Sequence, residues 1–143
     1  MILIDTNLLL FAAVEDYEQH ALAHEWLDAQ LASASRVGLP WHSLLGFVRL
    51  VSNRSNFKRG PSVNAAWQTV RVWLARPNVW IPHATERHAD VLSELFATAA
   101  VTSRKVMDIH LAALAIEHGL TVCSNDHDFA RFPKVRWLNP LDV

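Results

Sequence analysis

The sequence has almost no cysteine and lacks both long apolar runs and a targeting signal. Cys123 is the single cysteine among 143 residues, which excludes an intramolecular disulfide and any multi-cysteine zinc site. No apolar stretch approaches the roughly 18 residues that a membrane-spanning helix needs. The N-terminus also lacks the basic start and the small-residue cleavage site of a signal peptide. We therefore expect a cytoplasmic protein that does not contact a membrane.

Acidic residues are missing from a long central part of the chain. Residues 29–85 contain no Asp or Glu but seven Lys and Arg residues, whereas residues 1–28 contain six acids and no Lys or Arg. The net charge of the whole chain is nevertheless only −1. A base-only stretch of this length is suited to face a polyanion such as nucleic acid, and it is equally suited to pair with the acidic first segment. The sequence alone leaves both interpretations open.

Short apolar runs alternate along the chain with segments of helical spacing. Apolar residues make up 51% of the chain, which is enough to build a core. The apolar runs predict strands over residues 1–4, 37–39, 79–81, 120–123 and 135–138. Helical spacing predicts helices over residues 15–32, 43–51, 63–74 with Ser62 as cap, a segment that starts after Thr85, and 107–118 with Gly119 at its end. The alternation predicts one α/β domain over residues 1–143, with a mainly parallel sheet of four to five short strands.

Four aspartates fall where such a sheet places its chemistry. Asp5 follows the first predicted strand, Asp126 and Asp128 follow the fourth, and Asp108 begins the helix that precedes the fourth strand. Ligands of open parallel sheets bind beyond the carboxyl ends of the strands, so we expect these side chains at one rim. Carboxylate oxygens are the ligands that Mg²⁺ and Mn²⁺ prefer, and such ions promote phosphodiester hydrolysis.

Each of these aspartates also has an ordinary structural interpretation. Asp5 is suited to cap a short helix over residues 6–11, and Asp108 is suited to cap or begin its own helix. Residues 125–128, with the sequence NDHD, are typical of a polar turn. Only their joint position at strand ends favours a metal site over three unrelated structural roles.

Ordered motifs along nearly the whole chain carry a family resemblance. They are residues 1–10 (MILIDTNLLL), the pattern of His20, Ala23, Trp26 and Leu27, residues 39–41 (LPW), 46–49 (GFVR), 107–119 (MDIHLAALAIEHG), 124–132 (SNDHDFARF), and Arg136 and Trp137 with Asn139 and Pro140. With these motifs the chain resembles the PIN-domain family, and specifically the VapC-type ribonuclease toxins of bacterial toxin–antitoxin pairs. The resemblance implies a three-layer α/β/α fold, Mg²⁺- or Mn²⁺-dependent endoribonuclease activity, a homodimer, and neutralisation by a cognate antitoxin.

The resemblance also implies roles for individual residues. Asp5, Asp108 and Asp126 match the acidic residues of the metal site, and Asp128 matches an additional acid, which makes these four the expected catalytic residues. Ser124 and Asn7 are expected to hydrogen-bond the metal ligands from behind. Our mechanistic hypothesis is that Asp126 or Asp128 orients the attacking water, which leaves a 5′-phosphate and a 3′-hydroxyl.

Basic and aromatic residues supply the expected partner surfaces. Arg49, Arg54, Lys58 and Arg59 are predicted to guide the RNA backbone toward the acidic rim. Residues 15–51 carry large apolar side chains that suit an antitoxin-binding groove, and packing into the domain's own core explains them equally well. These side chains are Trp26, Leu27, Trp41, Leu44 and Phe47. We expect packing or surface roles for the eight histidines.

One position departs from the usual pattern of the family. Many members carry a Glu in the helix after the second strand, at the position that matches Gly46, and no acid lies anywhere in residues 29–85. A site without that carboxylate is expected to hold one ion firmly and to recruit any second ion through the RNA phosphate. The alternative is a non-catalytic PIN-like module that binds RNA or a protein partner through a degenerate acidic site.

Overall fold

Five short parallel strands form one sheet in the part of the chain that the structure describes. The computed structural model describes residues 1–98 and 100–142. The strands are β1 (Ile2–Ile4), β2 (Val37–Gly38), β3 (Val79–Trp80), β4 (Thr121–Cys123) and β5 (Arg136–Leu138). They lie in the order β3-β2-β1-β4-β5, and each neighbouring pair is parallel. The three inner strands of this order, β2, β1 and β4, therefore have neighbours on both sides.

Six α-helices connect these strands within the same residues. They are α1 (Thr6–Ala13), α2 (His20–Ala32), α3 (Trp41–Val51), α4 (Val63–Leu74), α5 (His88–Thr98) and α6 (Val106–His118). Two short 3-10 helices, Ser103–Lys105 and His127–Arg131, precede α6 and follow β4. No helix in the described residues combines the length and the apolar character needed to cross a membrane.

The strands bury side chains on both faces of the sheet. Leu3 packs in a core with α5 and α6, whereas its neighbour Ile4 packs in a second core with α1 to α4. Val122 and Cys123 of β4 alternate between the same two cores. Successive side chains of a strand point to opposite faces, so a strand between two helical layers is apolar throughout. The predicted three-layer α/β/α fold is thereby confirmed.

All predicted strands and helices are present, two helices begin later than predicted, and α3 begins two residues earlier than predicted, at Trp41 directly after Pro40. The helix predicted from residue 15 begins at His20, because residues 14–19 form the turn in which Tyr17 packs edge-on against Phe11 at 4.9 Å. The helix predicted after Thr85 begins at His88, and the Thr85 hydroxyl lies in the turn before it, where it accepts from the N–H of Arg87 at 3.2 Å and donates to Glu117 at 2.6 Å.

The predicted helix ends are formed as expected. The Ser62 hydroxyl accepts from the N–H of Ala65 at 3.0 Å and caps α4. Gly119 ends α6 with φ of 66°, a left-handed conformation that favours glycine.

The register of β1 and β4 brings two distant segments together at the carboxyl edge of the sheet. Ile4 pairs with Cys123, and the N–H of Asp5 donates to the carbonyl of Cys123 at 3.0 Å. Asp5 and Ser124 are thus the first residues beyond neighbouring strands. The candidate site is built on this junction.

Candidate functional site

Asp5 uses its two carboxylate oxygens for different tasks. Its Oδ1 accepts from the N–H of Thr6 at 2.7 Å and caps α1, as the structural interpretation of this residue predicts. Its Oδ2 accepts from the Ser124 hydroxyl at 2.7 Å and from the Asn7 amide at 3.4 Å. Asp5 is only 7% exposed, and this burial raises its pKa above the ordinary value, with the hydrogen bonds from Ser124 and Thr6 acting in the opposite direction. Capping and a role in the site are therefore compatible.

Ser124 connects the segments at the edge of the sheet. Its buried hydroxyl donates to Asp5 and accepts from the Asn7 amide and from the N–H of Asp126, both at 3.0 Å. Asn7 also accepts from the N–H of Asn125 at 3.2 Å. The structure therefore brings together the two residues, Ser124 and Asn7, that the sequence analysis placed behind the metal ligands.

Asp126 divides its oxygens in the same way as Asp5. Its Oδ1 accepts from the N–H of Asp128 at 3.0 Å and caps the short helix that follows, so the predicted polar turn is also present. Its Oδ2 faces Lys105, whose ammonium lies 2.7 Å away. Burial opposes ionisation of this carboxyl, but the hydrogen bonds from Lys105 and Asp128 prevail and lower its pKa.

Lys105 contacts three of the four carboxylates of the acidic cluster, by which we mean Asp5, Asp108, Asp126 and Asp128. Its Nζ lies 3.0 Å from Oδ2 of Asp128 and 3.7 Å from Oδ2 of Asp108, in addition to its contact with Asp126. These carboxylates hold the pKa of Lys105 above its usual value, chiefly because the ammonium donates hydrogen bonds to Asp126 and Asp128. Lys105 is not among the site residues predicted from sequence, although a lysine three residues before a helix-starting aspartate is a recognisable i,i+3 pair.

Asp108 lies in the first turn of α6, at the edge predicted for it. Burial raises the pKa of its carboxyl to about 6, with a further upward contribution from the charge of Asp5 and an opposing one from Lys105. Carboxylates that crowd together disfavour one another's ionised form. A cation bound at this edge would relieve that repulsion.

His42 of α3 lies near Asp108 and packs edge-on against His110 of α6, with ring centroids 6.1 Å apart. Burial lowers the pKa of both His42 and His110, so both favour the neutral form at pH 7. Nδ1 of His110 lies 3.0 Å from Nε2 of His88, and Nδ1 of His88 contacts the carboxylate of Glu117. This hydrogen-bonded chain ties α5 to α6 behind the acidic cluster.

Gly46 lies against the first residue of α1 and leaves no room for a longer side chain. A Cβ built on Gly46 would lie 2.9 Å from Oγ1 of Thr6 and 3.3 Å from its methyl carbon. The Thr6 hydroxyl is itself held by a hydrogen bond to the carbonyl of Ser43 at 3.2 Å. The side chain of Thr6 thus fills the space that an acid at position 46 would need.

The predicted RNA-guiding residues are not gathered into one patch. Arg49 lies exposed on α3, and its charge acts on His42 beside the acidic cluster. Arg54 donates to the carbonyls of Lys58 and Gly60 and so shapes its own loop. Lys58 and Arg59 line a depression at the C-terminal end of α1. That end is about 12 Å from the start of the helix at Asp5, because each helical residue rises about 1.5 Å.

The base-only stretch does not form close ion pairs with the acidic first segment. In the described part of the chain, none of the seven Lys and Arg residues of 29–85 has an amino or guanidinium nitrogen within 4.0 Å of a carboxylate oxygen. The structure therefore does not support the interpretation in which this stretch pairs closely with residues 1–28.

The oxygen-rich edge fits a hard divalent cation. Its carboxylates already converge on a positive charge, the Lys105 ammonium, and capping bonds fix one oxygen each of Asp5 and Asp126. Among residues 1–98 and 100–142, no three His, Cys, Asp or Glu side chains are grouped closely enough to hold a metal ion in this conformation. The donor chemistry suits Mg²⁺ or Mn²⁺, and its geometry must tighten for either ion to bind.

Comparison with known proteins places the chain in one family. Residues 2–135 match the family described as PIN domain. Ribonuclease VapC37 of Mycobacterium tuberculosis is 41% identical over 140 residues, which cover 98% of this chain and 97% of that protein. Ribonuclease VapC33 of the same species is 36% identical over 141 residues, which cover 99% of both chains.

Solved structures with low sequence identity share the fold. The crystal structure of Mycobacterium tuberculosis VapC20, described as a sarcin-ricin loop cleaving toxin, has a TM-score of 0.69 at 19% identity and covers 95% of this chain and 99% of its own. VapBC2 from Rickettsia felis, solved with a promoter DNA fragment, has a TM-score of 0.68 at 18% identity, with coverage of 97% and 98%. The chain therefore belongs to the PIN-domain family and, within it, to the proteins named VapC.

Proposed function

We propose that this protein is an endoribonuclease toxin whose acidic cluster works with Mg²⁺ or Mn²⁺. The observation that carries the proposal is the convergence of three carboxylates, one from α6 and two from the segment after β4, on one positive charge at the carboxyl edge of the sheet. The relatives named ribonuclease VapC, at 33–41% identity over nearly the whole chain, support RNA as the substrate.

In this proposal the aspartates divide the work between holding the cation and handling the water. Asp5, Asp108 and Asp126 would hold the ion, and Ser124 and Asn7 keep Asp5 oriented through their hydrogen bonds. A divalent ion at this site supplies Lewis-acid stabilisation of the phosphate and a more acidic water.

The remaining steps concern the carboxylates themselves. Asp126 or Asp128 orients the attacking water for in-line displacement at phosphorus and accepts its proton. The P–O3′ bond breaks and the departing O3′ takes up a proton from solvent water, so the products carry a 5′-phosphate and a 3′-hydroxyl. No 2′-hydroxyl attack is required, because the reaction depends on the carboxylates rather than on a histidine pair.

Arg49 is the best placed of the four proposed RNA-guiding residues. It is exposed, and its charge reaches the histidine beside Asp108. Arg54 acts in this proposal through the shape of its loop, and Lys58 and Arg59 extend the positive surface away from the cluster. Exposed bases of this kind attract RNA without reading its sequence.

A cognate antitoxin is the proposed protein partner. Structural neighbours include a toxin–antitoxin complex from Klebsiella pneumoniae, which shares the fold with a TM-score of 0.62 at 19% identity. Three of the five predicted groove residues, Leu27, Leu44 and Phe47, are buried in the chain's own core. Trp41 remains 38% exposed and stacks on Trp67 at 6.4 Å, so it is the aromatic contact that we propose for the antitoxin. We further propose a cytoplasmic homodimer, which light scattering on the purified protein would test.

A non-catalytic RNA- or protein-binding module is the second candidate. Two observations favour it: Gly46 provides no carboxylate, and Lys105 neutralises part of the acidic cluster. Such a module would bind RNA as well after chelation of metal as before it. The two candidates therefore differ in metal dependence and not in RNA affinity.

The deciding experiment is cleavage of total bacterial RNA with the new 5′ ends mapped by sequencing. Purified protein is incubated with Mg²⁺ or Mn²⁺, alongside EDTA and the Asp108→Asn variant. Asp28→Asn is the matched control, because it removes an equal charge at an exposed position on α2. Discrete 5′-phosphate ends that persist in Asp28→Asn and vanish in both other arms would support the nuclease. RNA binding without metal-dependent ends in any arm would favour the non-catalytic module.

A further inference from the structure

The acidic cluster already contains a cation that belongs to the chain. The Lys105 ammonium lies 2.7 Å from Asp126, 3.0 Å from Asp128 and 3.7 Å from Asp108. An ammonium carries three protons and no acceptor, so it can serve several carboxylates at once as a compact point charge. Two of the three aspartates that it contacts, Asp108 and Asp126, are also proposed metal ligands, so an ion held by them would meet this ammonium.

The backbone and the side chain of Lys105 are both held in place. The residue closes the short 3-10 helix that leads directly into α6, which fixes its backbone beside Asp108. Its stem lines a small pocket with Ile109 and Phe129, while its head reaches the carboxylates. The side chain is only about one-third exposed (34%), so the contact is not a fully solvated surface pair.

Two cations compete for the same oxygens at this position. Oδ2 of Asp126 accepts the shortest of the Lys105 contacts, and the same carboxylate is one of the three proposed metal ligands. A divalent ion and an ammonium a few ångströms apart also repel each other strongly in a partly buried site. Binding of the ion is then linked to movement of the lysine.

We propose that Lys105 is the resident counterion of the acidic cluster and that a divalent cation binds there by displacing its ammonium. This inference rests on the proposed metal-dependent activity of the same site. The Lys105 side chain then has two effects. The lysine stabilises the fold when no metal is bound, and it raises the metal concentration needed to load the site.

Mn²⁺ binding to purified, chelator-stripped protein tests the competition directly. Titration calorimetry is run on the wild type, on Lys105→Met, and on Lys134→Met. The last is a matched control, since Lys134 is an exposed lysine that pairs with Glu94 at 3.2 Å. We expect Lys105→Met to bind Mn²⁺ about tenfold more tightly, because no neighbouring charge must be moved. Lys134→Met should match the wild type.

Thermal unfolding of the same variants separates competition from a purely structural role. Without metal, Lys105→Met should unfold at a lower temperature than the wild type, because its carboxylates repel one another unscreened. Saturating Mn²⁺ should raise its unfolding temperature by more than it raises that of the wild type. A loss of stability that Mn²⁺ does not restore, with unchanged Mn²⁺ affinity, would overturn the proposal.

Nitrogen-15 NMR of the lysine ammonium groups gives a readout that does not depend on a variant. The hydrogen-bonded Nζ of Lys105 should give a resolved signal that changes on titration with Mg²⁺, while the Lys134 signal stays in place. An unchanged Lys105 signal in Mg²⁺-saturated protein would refute displacement.

The Asp126→Asn variant distinguishes failure of this inference from failure of the proposed function. If the wild type binds Mn²⁺, Asp126→Asn does not, and Lys105→Met binds no more tightly than the wild type, the metal site stands and the role of Lys105 is refuted. If neither the wild type nor Lys105→Met binds Mn²⁺, the metal-dependent function and the inference fail together.

Discussion

Thr6 fills the space beside Gly46, since a Cβ at position 46 would lie 2.9 Å from the Thr6 hydroxyl oxygen. Thr6 is the first residue of α1 and directly follows Asp5, so the contact joins α3 to the residue that begins the acidic cluster. The absence of a carboxylate at this position of α3 and the presence of Thr6 are therefore sterically linked. A longer side chain at position 46 requires a smaller one at position 6.

The first prediction tests this pairing by a double-mutant cycle. Gly46→Ala alone should destabilise the protein, because overpacking costs about 1–3 kcal/mol and exceeds the gain of up to about 1 kcal/mol in helix propensity. Added to Thr6→Ala, the same change should become neutral or stabilising, because the space is then free. Urea unfolding of the four proteins measures the coupling free energy, and additive effects would contradict the steric explanation.

The second prediction compares two fully buried serines. Ser124→Ala should cost about 1–3 kcal/mol of stability, because it leaves the buried carboxylate of Asp5 and the N–H of Asp126 without their hydroxyl partner. The hydroxyl of Ser43, equally buried, has no hydrogen-bond partner among the described residues. Ser43→Ala is therefore expected to be neutral or slightly stabilising.

Chemical denaturation of the two variants in EDTA measures the difference between the serines. RNA cleavage provides a second readout, and it should fall in Ser124→Ala and remain in Ser43→Ala. Equal destabilisation of both variants would show that Ser124 acts only as a packing residue.

The third prediction concerns the pH dependence of stability and follows from Asp108. Its pKa is raised from 3.8 to about 6, chiefly by burial. Between these values the folded state binds more protons than the unfolded state, so the carboxyl increasingly destabilises the metal-free fold as pH rises from about 4 to 6. Above pH 6 the full destabilisation is present.

Asp108→Asn removes the ionisable carboxyl and should abolish the loss of stability that its ionisation causes in the metal-free protein. In EDTA at pH 8 the variant is expected to be about 1–2 kcal/mol more stable than the wild type, since one pKa unit corresponds to about 1.4 kcal/mol and the site is partly screened. The advantage should vanish near pH 4. Denaturation at several pH values measures it, and a constant difference from pH 4 to 8 would assign the effect to something other than this carboxyl.

The parallel sheet and its acidic edge could be predicted from sequence because each rests on local patterns. Short apolar runs followed by Asp5 and by Ser124 mark strand ends, and the order of strands and helices brings those ends together. Gly119 and Ser62 likewise signal their helix ends through backbone geometry and a side-chain cap. The start of α2 at His20 could not be read from periodicity, because the packing of Tyr17 on Phe11 decides where the turn ends.

The role of Lys105 could not be predicted because it depends on contacts across the chain. The spacing to Asp108 is local, but Asp126 is 21 residues away, and only the folded structure brings Asp126 and Asp128 to the same ammonium. The close packing of Gly46 and Thr6 is equally non-local, since 40 residues separate them. Comparison with the family pattern shows that a carboxylate is missing at position 46. It does not show which side chain occupies that space.

The fourth prediction separates two arginines that the sequence treats alike. Arg49 is exposed and makes no ion pair among the described residues, whereas Arg54 donates to two carbonyls of its own loop. Arg49→Gln should weaken RNA binding and leave the unfolding free energy within about 0.5 kcal/mol of the wild type, as is usual for surface changes. Arg54→Gln should lower stability as well, because it removes bonds that shape residues 54–60.

Salt dependence gives this comparison its sharpest readout. Each lost phosphate contact to single-stranded RNA lowers the slope of log K against log salt by about 0.7. We therefore expect a shallower slope for Arg49→Gln measured on a catalytically inactive Asp108→Asn background, where RNA is bound and not cut. Lys134→Gln is the control, because its lysine pairs with Glu94 and should leave the slope unchanged. An Arg49→Gln slope equal to that of the control would mean that RNA does not pass along α3, and the path would then have to follow Lys58 and Arg59 instead.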